Sequence, residues 1–192
     1  AGYRTTIFRN TVSVEEILAA EPDIVCLSPG PGHPREAGCM AELIDSVLGK
    51  IPLFGICLGF QALLDHHGGT VEPCGPVHGK SVRMTLTKAG AKHPIFTGLA
   101  VDSEPDNPDY VGTQVPVARY HSLGCKKIPT EMRALATTET AIGDVVMAAE
   151  TEDQMAFGVQ FHPESVLSPT GPIMLESCIE YLSAKYLFGK AN

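Results

Sequence analysis

The stretch Ile51-Pro52-Leu53-Phe54-Gly55-Ile56-Cys57-Leu58-Gly59-Phe60-Gln61 constrains the fold more than any other part of the chain. It reads as a buried strand that breaks sharply into a helix, with Cys57 at the corner. A glycine on each side lets the backbone take the tight, strained turn that lifts a nucleophile clear of a sheet. The sulfur would then stand at a helix N-terminus, where the dipole and free amides favour the thiolate. Free cysteine is more often a small buried apolar residue, so this reading requires a histidine and an orienting group elsewhere.

Both occur late in the chain. From Gln154 to Phe161 apolar and polar residues alternate, and the pattern stops at Pro163, as a strand running into a loop would. His162 and Glu164 follow at its end. Residues two apart on an extended stretch face the same side, so the carboxylate can hold one imidazole nitrogen while the other faces the sulfur. A surface turn would account for His-Pro-Glu alone equally well. Together with a cysteine elbow it completes a Cys57-His162-Glu164 triad.

A third segment precedes both. Asp23 to Leu27 reads as a strand, and Ser28-Pro29-Gly30-Pro31-Gly32-His33-Pro34 as the rigid loop leaving it. Three prolines remove amide donors that a phosphate cradle would need, and no Lys-Ser or Lys-Thr pair follows. A stiff rim is the better use. The N–H groups of Gly32 and Leu58 are candidates for receiving an oxyanion; the loop could also be a plain turn.

With these segments in view the chain resembles the class I, triad-type glutamine amidotransferases. The motifs Ser28–Gly32, Gly55–Gly59, His78-Gly79-Lys80, Arg119-Tyr120-His121-Ser122-Leu123 and Phe161–Ser165 resemble the glutaminase component of anthranilate synthase, with the aminodeoxychorismate synthase glutaminase as its nearest relative. The resemblance implies an α/β fold: a central, mostly parallel, flavodoxin-like sheet flanked by helices, with an antiparallel extension. It implies that Gly30, Pro31, Gly32, Gln61, Ser122 and Leu123 hold L-glutamine, and that Leu58 and Gly32 form the oxyanion hole. Gln61 lies one helical turn beyond Cys57 and on its face. Without the family it would read as an ordinary solvated helix residue.

Strand signals at Thr5–Phe8, Ile24–Leu27, Leu53–Ile56, Ser81–Leu86, Val115–Ala118, Arg133–Thr138, Val145–Glu150 and Met155–Phe161 alternate with helix patterns near Ser13–Ala20, Cys39–Leu48, Gln61–His67 and Pro172–Ala184. One domain over residues 1–192 is expected, parallel in its first part and antiparallel later. The stretch from Gly98 to Gln114, with Asp102, Glu104, Asp106, Asp109, Pro105 and Pro108, reads as a long polar loop resembling the fungal form. Members of the family open with a strand and a helix that this chain lacks, so an incomplete chain that aggregates on purification is expected. The run Tyr181–Asn192 could be a terminus or a link into fused domains.

Composition narrows the function classes. With 22 acidic against 14 basic residues, a net charge of −8 and no Lys/Arg cluster, the chain is not expected to bind nucleic acid. No apolar run reaches the roughly 18 residues of a membrane span, and no signal-peptide pattern opens the chain, so a cytoplasmic protein is expected. Cys26, Cys39, Cys74, Cys125 and Cys178 form no C-x-x-C pair, which argues for reduced thiols rather than zinc or disulfides. His66 and His67 suit a helix end before Gly68-Gly69. His78 reads as shaping a turn or touching a partner, and His121 as substrate-adjacent or structural.

The expected function is a glutaminase that passes ammonia to a chorismate-binding synthase subunit to make anthranilate. No cofactor is expected on this chain, with magnesium on the partner. The folate-pathway glutaminase is the alternative of the same class. A stand-alone γ-glutamyl hydrolase or cysteine peptidase is the alternative of another; a catalytically dead binding module fits poorly with a filled triad.

Overall fold

Leu53, Phe54, Gly55 and Ile56 are all buried, which identifies a strand covered on both faces, as parallel strands in α/β proteins are. The computed structural model describes residues 2–190 apart from 105, 108 and 109, without the side chains of 187–190. Pro105, Pro108 and Asp109 of the acidic stretch, and the end of the 181–192 run, therefore lie outside the described residues. In chain order the elements are α1 (Val14–Leu18), β1 (Val25–Leu27), α2 (Met40–Val47), β2 (Leu53–Ile56), α3 (Leu58–His66), β3 (Val71–Pro73), β4 (Lys80–Leu86), β5 (Gln114–Arg119), β6 (Leu123–Cys125), β7 (Met132–Thr140), β8 (Gly143–Thr151), β9 (Ala156–Val159) and α4 (Gly171–Lys190).

Seven strands form one sheet in the order β1-β2-β9-β8-β7-β4-β5, and β3 pairs with β6 in a separate two-stranded ribbon. β1, β2 and β9 are mutually parallel, with Leu27 opposite Gly55 and Ile56 opposite Val159. Beyond β9 every pairing is antiparallel. The late strand β9 thus joins the parallel half to the antiparallel one. Because β1, β2 and β9 run the same way, the loops after Leu27, Ile56 and Val159 leave the sheet at one common end.

Side chains alternate between two cores, one on each face. Leu53 and Ala156 point into a cluster with Ile44, Val47, Phe60, Leu63 and Leu64, beneath the helices α1 to α3. Phe54 and Phe157 point into the other, with Phe96, Met147, Met174, Cys178 and Leu182. Met174, Cys178 and Leu182, four residues apart, form the buried stripe of α4. Ser13 caps α1 by accepting from the Glu16 amide at 3.2 Å. Among the described residues no helix is long and apolar enough to cross a membrane.

The strand expected at Thr5–Phe8 is not formed. These residues have no ladder partner, Ile7 is 89% exposed, and no described strand pairs with the outer side of β1. An extended segment without a neighbour leaves its amides to water and does not count as a strand. The ribbon strands β3 and β6 were not anticipated, since three residues carry too little pattern. Between Gly98 and Gln114 the chain folds around Asp102, which accepts from the Thr113 and Gln114 amides and from the Tyr110 hydroxyl.

Candidate active site

Cys57 occupies the corner between β2 and α3 with φ 52° and ψ −102°, a left-handed conformation that a non-glycine residue adopts only under constraint. The strain sits on the cysteine itself. Gly55 and Gly59 serve a different need from the conformational freedom expected of them, because neither has a positive φ. A Cβ on Gly55 would stand 2.8 Å from the Gly59 backbone, and one on Gly59 would stand 2.4 Å from the Leu27 carbonyl oxygen. Both glycines let helix and sheet approach closely behind Cys57.

The β2–β9 pairing places Cys57 and the 162–164 segment at the same end of the sheet. The Cys57 amide donates to Val159 O at 2.8 Å, and three residues further along the same strand exit lies His162. Its Nδ1 is 2.6 Å from Glu164 Oε1, a short charge-assisted contact that leaves Nε2 for the other side. His162 is fixed from three directions. Its amide donates to Ala118 O at 3.0 Å. Its carbonyl accepts from Ser168 Oγ at 2.7 Å, and that hydroxyl oxygen in turn accepts from the Ala118 amide. The ring of Tyr120 meets the imidazole edge-on at 4.9 Å.

The thiol is not pre-ionised, which corrects the expectation of a favoured thiolate. Cys57 is 8% exposed, and its burial pushes its pKa up to about 11. The Leu58 amide works against this, the Glu164 charge adds to it, and the Gln160 side chain again lowers it. Desolvation outweighs one helix turn of amides. At neutral pH the sulfur therefore holds its proton until a base removes it.

The rim after β1 lies against the start of α3. A Cβ on Gly30 would lie 2.8 Å from Leu58 Cδ2, so this loop touches the first residue after Cys57. Gly32 adopts φ 85°, which favours glycine, and Pro31 is exposed between them. Gln61 is 3% exposed, not the solvated residue that its sequence alone suggested. Its amide nitrogen donates to Leu123 O and to Gln160 Oε1, both at 3.1 Å. Leu123 is tied by β6 to β3, and Ser122 O accepts from the Cys74 amide at 2.8 Å, leaving the Ser122 side chain exposed.

His121 is buried and neutral. Arg119 Nε donates to its Nε2 at 3.0 Å, so the ring proton sits on Nδ1 and is donated to Leu123 O at 2.8 Å. Burial, then the Arg119 charge, push its pKa down to about 4. Gln160, Ser168, Tyr120 and Arg119, which contact Cys57, His162 or His121, were not among the residues expected there. Gln160 lay inside the alternating run, but alternation assigns polar residues to solvent, and β9 has no solvent face. Among the described residues no group of three His, Cys, Asp or Glu side chains is placed to hold a metal ion. All six cysteines are free.

Comparison with known proteins identifies the family. The family model described as glutamine amidotransferase class-I matches residues 1–181. The chain is 61% identical over 184 residues to anthranilate synthase component 2 of Corynebacterium glutamicum, covering 96% of this chain and 88% of that protein. It is 38% identical to the protein of the same name from Buchnera aphidicola, covering 94% and 84%. A glutamine amidotransferase structure from Thermotoga maritima superposes with a TM-score of 0.61 at 19% identity, covering 85% of this chain and 79% of that one. A GMP synthase-type structure from Thermoplasma acidophilum superposes with a TM-score of 0.73 at 21% identity, covering 94% and 82%. These two likenesses speak for the fold.

Proposed function

The chain belongs to the class I glutamine amidotransferases, and from that premise we infer that it is the glutaminase component of anthranilate synthase, in tryptophan biosynthesis. It takes L-glutamine and works with a chorismate-binding synthase subunit. The observation that carries the site assignment is the strained Cys57 corner lying beside the strand whose exit holds the 2.6 Å His162–Glu164 pair.

The chemistry follows from these groups. Cys57 passes its proton to His162 as the sulfur attacks the side-chain amide carbon of glutamine. Burial raises the thiol pKa, so the sulfur needs His162 as its base. The amides of Leu58 and Gly32 receive the oxyanion. The C–N bond then breaks, and the proton on His162 leaves with ammonia. Water next gives a proton to His162 and attacks the thioester; the C–S bond breaks, the proton returns to sulfur, and glutamate departs. Glu164 holds the imidazole in the required tautomer and balances its charge.

Gly30, Pro31, Gly32, Ser122 and Leu123 would line the substrate, with Gln61 offering its remaining oxygen to it. Both amide hydrogens of Gln61 are already engaged, so this oxygen suits a donor such as the ammonium of the amino acid. No step requires a cofactor on this chain; magnesium would belong with the chorismate site of the partner. Free thiols and the absence of a membrane-crossing helix among the described residues favour the cytoplasm.

The test is covalent. A diazo-ketone glutamine analogue should place one adduct on the peptide holding Cys57, and Cys57→Ser should abolish both the adduct and glutamine-dependent anthranilate synthesis while ammonia-dependent synthesis by the complex persists. An adduct on Cys39 or Cys178 would overturn the assignment.

A further inference from the structure

Gln160 is fully buried at the end of β9, between Gln61 and the nucleophile, and nothing in the chemistry above gives it a task. Its side chain lies in a series of hydrogen bonds whose direction is set at one end by a group that cannot donate. Leu123 O is a carbonyl, so the Gln61 amide must turn its NH2 toward it. That same nitrogen also meets Gln160, which must therefore present its oxygen, at 3.1 Å. The Gln160 NH2 is left facing Cys57 Sγ at 3.7 Å. Neutral His121 adds a second donor to Leu123 O, so this carbonyl is held from two sides. Turning Gln61 over would set its oxygen against the Leu123 carbonyl, and turning Gln160 over would set two NH2 groups against each other.

We infer that Gln160 is a donor to the reacting sulfur, aimed at it from the Leu123 carbonyl through Gln61. The proposal rests on the reading of Cys57 as nucleophile. Two moments in the cycle leave negative charge on that sulfur: the attack on the amide, and the departure from the thioester. In both, an N–H already pointing at the atom needs no reorganisation in a site that water barely reaches. A hydrogen bond to a charged acceptor contributes more than one to a neutral acceptor, so the bond strengthens as the charge develops. Because Leu123 is also a candidate substrate contact, the arrangement ties the loop that receives glutamine to the atom that attacks it.

The experiment uses the full chain in complex with its synthase subunit, with two variants. Gln160→Met keeps the bulk and removes the donor; Gln160→Glu keeps the shape and sets a carboxylate against the sulfur. Iodoacetamide alkylation of the Cys57 peptide at pH 8, followed by mass spectrometry, reads the ease of thiolate formation; glutamine kcat and KM read turnover. A thiol made less acidic by about one pH unit is about tenfold less ionised but intrinsically somewhat more nucleophilic. Alkylation of Gln160→Met should therefore slow about three- to tenfold, with kcat falling about tenfold and KM changing less than threefold. Gln160→Glu should be slower still on both counts.

Unchanged alkylation and kcat in either variant, at a melting temperature near the parent's, overturns the proposal. A fall in melting temperature with KM rising and alkylation unchanged overturns it too, since that is what lost packing alone would do. The diazo-ketone adduct on the parent protein separates the two readings: an adduct on Cys57 with indifferent Gln160 variants rejects this inference only, whereas an adduct elsewhere rejects the site beneath it.

Discussion

Gly59 lies so close to Leu27 that a methyl group on its Cα would stand 2.4 Å from the Leu27 carbonyl oxygen and 2.5 Å from its Cβ. One contact is with backbone, which cannot swing away as a side chain can. Gly59→Ala must push α3 off β1 and should destabilise the protein by about 2 kcal/mol or more, as overpacking does. Leu27 also immediately precedes the Ser28–Pro34 rim, so the KM for glutamine should rise. Urea unfolding and glutaminase kinetics check both; an unchanged midpoint would show that the corner is looser than its geometry.

That contact also marks where sequence reasoning stops. The elbow, the His162–Glu164 pair and the β1 loop were legible because each is a local pattern: a strand running into a turn with chemistry at the turn. Their convergence at one end of the sheet follows once β1, β2 and β9 are known to be parallel. What the pattern hid was pairing at a distance. Glu150 in β8 and Gln160 just past β9 are buried polar residues, and alternation reads such residues as outward. The acidity of Cys57 was misjudged for a related reason, since helix amides are visible in the sequence and burial is not.

Glu150 is 1% exposed and accepts from His93 Nε2 at 3.1 Å, from the Tyr181 hydroxyl at 2.9 Å and from Arg133, joining α4 and the 90–96 segment to β7 and β8. Burial alone would raise its pKa, but these donors win and hold the carboxyl at about 2. A carboxyl depressed in the folded state stabilises the protein above its unfolded value near 4.5, and this stabilisation is lost as pH falls toward 2. Glu150→Gln should cost about 3 kcal/mol at pH 7, and the gap to the parent should narrow between about pH 4.5 and 2. Thermal melts across that range test the sign; a gap that widens in acid would reverse the account.

Ser168 carries one hydroxyl that serves two backbone groups, donating to His162 O and accepting from the Ala118 amide, and it is 3% exposed. Ser168→Ala leaves both groups short of a partner where water has little access, a loss of about 1–3 kcal/mol. Since one of them belongs to His162, kcat should drop several-fold while KM stays near the parent value. Differential scanning calorimetry and steady-state glutaminase assays would show this. A loss of stability with kcat intact would confine Ser168 to holding the start of α4.

Glu164 plays two roles with opposite signs. Its charge pushes the Cys57 pKa up, yet the same carboxylate sits 2.6 Å from His162 Nδ1 and holds the ring in the tautomer whose Nε2 is free to accept a proton. Glu164→Gln removes both effects at once. The sulfur, freed from a nearby negative charge, should be alkylated at pH 8 as fast as in the parent or somewhat faster. Turnover should move the other way and fall about a hundredfold in kcat, because an amide at position 164 can present its NH2 to the ring and favour the wrong tautomer. Half the Glu164 side chain is exposed, so the substitution leaves no buried orphan and folding should be preserved. Parallel measurement of alkylation rate and kcat on one preparation decides the matter: a joint fall would mean that Glu164 acts by shaping the site around Cys57, and the division of labour described here would be wrong.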